Sequence, residues 1–74
     1  MVDKIIKVIS ETLETSINAT TSQDNCDKWD SLRHLNIVIA LEEAFAVSFE
    51  PEDIAKMKCI KDIGKILNNY LNNN

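Results

Sequence analysis

One glycine and one proline in 74 residues leave little chain for the tight turns that a sheet protein of this size needs. Aromatic residues are equally scarce, while isoleucine and leucine dominate the apolar share, a balance that suits packed helices. Charge interrupts every apolar run within a few residues, so no membrane span is expected. Metal chemistry lacks ligands: there is one histidine, and Cys26 and Cys59 stand far apart and form no C-x-x-C pair. Basic residues number 8 against 12 acidic ones, which leaves no basic stripe for nucleic acid. With no signal-peptide pattern at the start, both cysteines are read as reduced thiols in a cytoplasmic protein.

What is present fits one domain spanning residues 1–74. So short a chain has a marginal core and no room for a lidded cleft, which argues against an enzyme. Its formal charge of −4 is unevenly placed: residues 24–53 carry −6 and the remainder +2. Such segregation suits a basic partner for the middle of the chain.

Val2, Ile5, Ile6, Ile9 and Leu13 recur at three- and four-residue spacing, predicting an amphipathic first helix to about Thr15. Residues 18–28 are polar and aperiodic and read as a long loop, pinned by Ile17, Cys26 and Trp29. Asp30 is a suitable N-cap for a second helix from Ser31 to about Ala46. That helix is apolar on most sides, and in so small a domain some of its apolar groups must stay exposed. Pro51 opens a short third helix, with Ile54 and Met57 facing the core. A final helix carries Ile60, Ile63, Ile66, Leu67, Tyr70 and Leu71, before an asparagine tail at residues 72–74 that reads as frayed. The expected fold is an all-α four-helix bundle, with three longer helices, a short third one, and a long loop between the first two.

Trp29-Asp30-Ser31-Leu32 places a serine hydroxyl in the first turn of a helix, after a polar loop. The unpaired N–H groups and the positive helix end there favour a phosphodiester on that oxygen. Taken alone, a serine at a helix start is usually only a cap. The same serine is followed by Leu41-Glu42-Glu43-Ala44-Phe45 and then by Phe49-Glu50-Pro51-Glu52-Asp53-Ile54. From Trp29 to Leu67 the sequence resembles the acyl carrier protein family, which also includes peptidyl carriers. The Trp-Asp-Ser-Leu form resembles the discrete carriers of specialised pathways more than the housekeeping fatty-acid carrier.

The resemblance implies a non-catalytic, monomeric, acidic phosphoprotein of fatty acid or polyketide biosynthesis. Ser31 would carry a covalent 4′-phosphopantetheine arm, donated from coenzyme A by a phosphopantetheinyl transferase, and the arm's thiol would hold acyl intermediates as thioesters. Asp30 would cap the helix and help the transferase place its metal-bound donor. Leu32, Leu35 and Ile39 would meet partner enzymes, and Glu42 and Glu43 would face their basic docking patches. Those partners would be acyl-transferring, condensing or ligase enzymes. An aminoacyl or peptidyl carrier, and an unmodified helical interaction domain, remain as alternatives.

Three departures stand out. Lys28 and Trp29 replace the family's usual glycine before the serine, and Arg33 brings positive charge where fatty-acid carriers are commonly acidic. Cys59 stands where a Ser or Thr cap is common, so a loosely held last helix is expected. His34 lies near Ser31 on the helix surface, but no strand–turn–helix elbow or glycine-rich loop accompanies it to make a catalytic couple. It reads as a surface or partner-contact residue, and no catalytic or metal-binding residue is assigned.

Overall fold

The computed structural model describes residues 1–72. Within them the chain forms α1 (Val2–Leu13), α2 (Ser31–Phe45), α3 (Pro51–Lys56) and α4 (Ile60–Asn72). Asn72 thus closes the last helix, its side-chain amide donating to Asn68 Oδ1 at 2.8 Å. The rest of the asparagine tail, 73–74, lies outside the described residues.

Four-residue spacing puts Ile5, Ile9 and Leu13 on one side of α1, where all three are buried. α1 packs against both α2 and α4. α2 contributes Ile37, Val38 and Leu41 to the shared core, and α4 contributes Ile60, Ile63 and Leu67. Phe45 is only half-buried, with the Lys4 ammonium 4.8 Å from its ring centroid, a cation–π contact that ties α1 to the end of α2.

α1 ends two residues earlier than its apolar pattern suggests. Glu14 adopts φ 55°, ψ 41°, a left-handed cap that turns the chain out of the helix. Thr15 N–H then donates back to the Ser10 carbonyl at 3.2 Å. Ala46 ends α2 in the same way, at φ 55°. Neither cap is the glycine that normally marks such a stop.

The long loop is aperiodic in sequence but ordered by its own side chains. Asn18 Oδ1 accepts from Thr20 N–H at 2.9 Å, and Asn25 Oδ1 accepts from Ser22 N–H at 2.9 Å. The first of these is an Asx turn, in which the side-chain oxygen imitates a backbone carbonyl. Ile17 and Cys26 pack onto the core from outside, and Trp29 enters it at 2% exposure.

The expectation that Cys59 leaves the last helix loosely held does not hold. Cys59 pairs with Ser22 in an isolated antiparallel bridge. Gln23 N–H donates to the Lys58 carbonyl at 2.9 Å, and Ile60 N–H to the Thr21 carbonyl at 3.3 Å. Asp62 Oδ2 accepts from Lys58 N–H at 3.3 Å. The loop backbone therefore fastens the start of α4 without a capping hydroxyl.

α3 is fastened differently from the other helices. None of its own residues is buried, although Phe49 before it and Met57 after it are. From α4, the Tyr70 hydroxyl donates to Asp53 Oδ2 at 2.5 Å and accepts from Glu50 N–H at 3.0 Å. The Tyr70 ring also meets Phe49 edge-on, with centroids 5.2 Å apart. Donation to the Asp53 carboxylate favours the neutral phenol and raises its pKa above the ordinary 10.0, against a smaller opposing effect from Glu50 N–H.

Unfolded chains ionise Tyr70 first, so its contribution to stability is whole below the ordinary value and is lost as pH climbs through the raised one. The stability advantage of the native chain over Tyr70→Phe should therefore narrow between about pH 8 and about pH 11. Paired urea titrations at the two pH values measure it, and an unchanged gap would show that the phenol–carboxylate bond contributes nothing.

Candidate functional site

The start of α2 is built by three consecutive residues with different tasks. Trp29 is buried, which fixes where the loop meets the bundle. Asp30 has extended backbone (φ −94°, ψ 179°) and accepts from Arg33 N–H through Oδ1 at 2.8 Å. Such a cap contributes about 1 kcal/mol to helix stability. Ser31 is then the first residue of α2, and it is exposed.

Arg33 reaches back to Asp30 Oδ2 at 3.2 Å, so both carboxylate oxygens of Asp30 are engaged. The pair is about half exposed on each side, and its net contribution is at most about 1 kcal/mol. Its effect is to neutralise the Asp30 charge beside the Ser31 hydroxyl.

Leu35 and Ile39 follow Ser31 at four-residue steps and are 53% and 54% exposed, while Leu32 is 75% exposed. These three leave an apolar strip open to solvent along α2, next to the serine. Their neighbours Ile37, Val38 and Leu41 point into the core. The excess of apolar residues on this helix is thus divided between two faces.

The acidic pair separates as adjacent helical residues must. Glu43 is exposed, whereas Glu42 is half-buried and its Oε2 accepts from Phe49 N–H at 2.8 Å. Glu42 therefore also braces the turn between α2 and α3, a role that no local pattern in the sequence signals. Glu43 carries the free charge.

His34 is not the surface residue that its position on α2 suggests. It is half-buried, its Nδ1 accepts from the Trp29 indole N–H at 2.9 Å, and its Nε2 lies 2.9 Å from the Ile54 carbonyl oxygen. With both ring nitrogens committed, it has no lone pair left to take a proton from Ser31. Trp29 and His34 stand five apart in sequence, one on each side of the cap, a spacing that carries no general signal. Ile54 lies twenty residues further on.

Among the described residues no group of three or more His, Cys, Asp or Glu side chains could hold a metal ion. No helix among them is long and apolar enough to cross a membrane. Both thiols, Cys26 and Cys59, are free.

Four helices in this order, with a long first connection and a short third helix, make the acyl-carrier-protein fold. The solution structure of a holo acyl carrier protein from Geobacter metallireducens is similar to this chain with a TM-score of 0.83. The match covers 95% of this chain and 84% of that one, at 23% sequence identity. No protein-family model and no curated protein matches the sequence.

Proposed function

We propose that this chain is an acyl carrier protein, with Ser31 as the attachment point of a 4′-phosphopantetheine arm. The observation that carries the reading is an exposed serine at the first position of α2, in the acyl-carrier-protein fold, with an open apolar strip beside it. The residues fit such a group. Ser31 is exposed, where a transferase can reach it, and the positive end of a 15-residue helix favours the phosphodiester that would form.

Attachment would join Ser31 Oγ to the phosphorus of the arm and break the pyrophosphate bond of coenzyme A, releasing adenosine 3′,5′-bisphosphate and the hydroxyl proton. When bound, the arm supplies a terminal thiol that holds an acyl group as a thioester. The chain's own residues do the rest. Asp30 and Trp29 hold the serine at the helix start, and Leu32, Leu35 and Ile39 offer partner enzymes an apolar contact. Glu43, and Glu42 in part, offer them charge. The neutralised Asp30 and the basic Arg33 fit a discrete carrier of a specialised pathway, because partners selected by an acidic helix start would not be favoured here. Tethering raises the local concentration of cargo at each active site, so chemistry is left to the partners.

The test is direct. Incubating the full chain with coenzyme A and a broad-specificity phosphopantetheinyl transferase should give one arm per chain by intact mass, and Ser31→Ala should give none. An unmodified native chain that is folded by circular dichroism, or an adduct that persists in the alanine variant, would remove the proposal.

A further inference from the structure

Trp29, His34 and Ile54 form a chain of two hydrogen bonds that the role proposed for Ser31 does not use. The Trp29 indole N–H sits 2.9 Å from His34 Nδ1, and His34 Nε2 sits 2.9 Å from the Ile54 carbonyl oxygen. An indole nitrogen can only donate and a carbonyl oxygen can only accept. Nδ1 must therefore present a lone pair and Nε2 must carry the hydrogen. Only the neutral Nε2–H tautomer satisfies both partners.

A proton added at Nδ1 would place two donors face to face. Trp29 is 2% exposed and has no route to water, so the imidazole is the group that must move. His34 is half-buried, which gives it access to solvent protons and room to swing. Swinging breaks its bond to Ile54. α3 is the helix least able to absorb that loss, since none of its residues is fully buried and its other side-chain tie comes from Tyr70.

The charged groups on the segments meeting at His34 do not offset the new charge. They are Lys28 and Asp30 beside Trp29, Arg33 on α2, and Glu52, Asp53 and Lys56 on α3. Asp30 is taken by Arg33 and Asp53 by Tyr70. Among the described residues no carboxylate oxygen lies within 4.0 Å of the imidazole.

We propose that His34 is a proton-sensitive strut: its neutral form fastens α3 to the start of α2, and its protonation releases α3. Because His34 is three residues from Ser31, the release alters the surface beside that hydroxyl. Both hydrogen bonds of the strut form without any group on Ser31.

Amide exchange and imidazole nitrogen shifts of the full chain, followed by NMR from about pH 8 to about pH 5, provide the test. Near the upper limit His34 should show hydrogen on Nε2 only. On acidification, protection of the Ile54, Ala55, Lys56 and Met57 amides, corrected for intrinsic rates, should fall about tenfold, the scale of one lost hydrogen bond. The fall should share its midpoint with the His34 titration and with a shift of the Trp29 indole proton, while Ile5 and Ile9 stay protected. In His34→Gln, α3 should exchange fast across the whole range. Flat protection of α3 while His34 titrates, a pH response that survives in His34→Gln, or a His34 that keeps both bonds throughout would each overturn the proposal.

Discussion

Trp29→Ala should cost about 3–5 kcal/mol of folding stability, the usual range for removing a buried large aromatic side chain. A chain of 74 residues has roughly 4–11 kcal/mol to lose, at about 0.05–0.15 kcal/mol per residue. The variant is thus expected to be partly unfolded at room temperature, or to unfold at far lower urea than the native chain. The reason is position as much as size. Trp29 is 2% exposed, lies at the junction of the long loop with α2, and donates its indole N–H to His34. Removing it leaves a void under the cap residue and frees the histidine that holds α3.

Trp29→Phe separates those two losses. It keeps most of the ring in the core and removes the donor, so a cost of about 1–2 kcal/mol is expected, with the chain still folded and still open to modification at Ser31. Urea titrations followed by far-ultraviolet circular dichroism measure both variants without relying on tryptophan emission. If Trp29→Ala unfolds at the native midpoint, the tryptophan is not the anchor of this loop.

Much of the frame can be read from residue order, and the physical reasons differ by element. α1 and α4 each bury one narrow stripe, so Ile5, Ile9 and Leu13, and likewise Ile60, Ile63 and Leu67, repeat at helical spacing. Asp30 marks the start of α2 because a short carboxylate can reach the N–H three residues on, and here it does. The exposure of Leu32, Leu35 and Ile39 also follows, since one helix of a small bundle cannot bury apolar groups on every side. The stop at Glu14 was not legible, because no glycine or asparagine announces its left-handed backbone.

The polar ties between elements were not legible either. His34 to Ile54, Tyr70 to Asp53 and Glu42 to Phe49 depend on how helices are placed against one another, and no local pattern encodes that placement. His34 shows the consequence most clearly. Its position on α2 suggests a partner contact, yet the docking of α3 turns it into a strut. The same holds for Cys59, where pairing with the loop backbone fastens the helix start without a capping hydroxyl.

Leu41→Ala and Leu35→Ala, the same chemical change made six residues apart on α2, should have opposite consequences. Leu41 is completely buried, so its truncation is expected to cost about 2–5 kcal/mol, a large part of what the fold has. Leu35 is 53% exposed, and its truncation should shift stability by no more than about 0.5 kcal/mol. Function should sort the other way. If the strip beside Ser31 meets partners, Leu35→Ala should lower kcat/KM for transfer of the arm by about tenfold, as loss of an anchoring contact does, with the chain fully folded. Leu41→Ala, once corrected for its folded fraction, should be modified at close to the native rate, because its side chain never reaches the partner. Urea titration and transferase kinetics on the same two proteins decide the matter. Equal stability losses would mean that α2 does not present two distinct faces. Native kinetics in Leu35→Ala would take the docking role away from the strip while leaving Ser31 untouched.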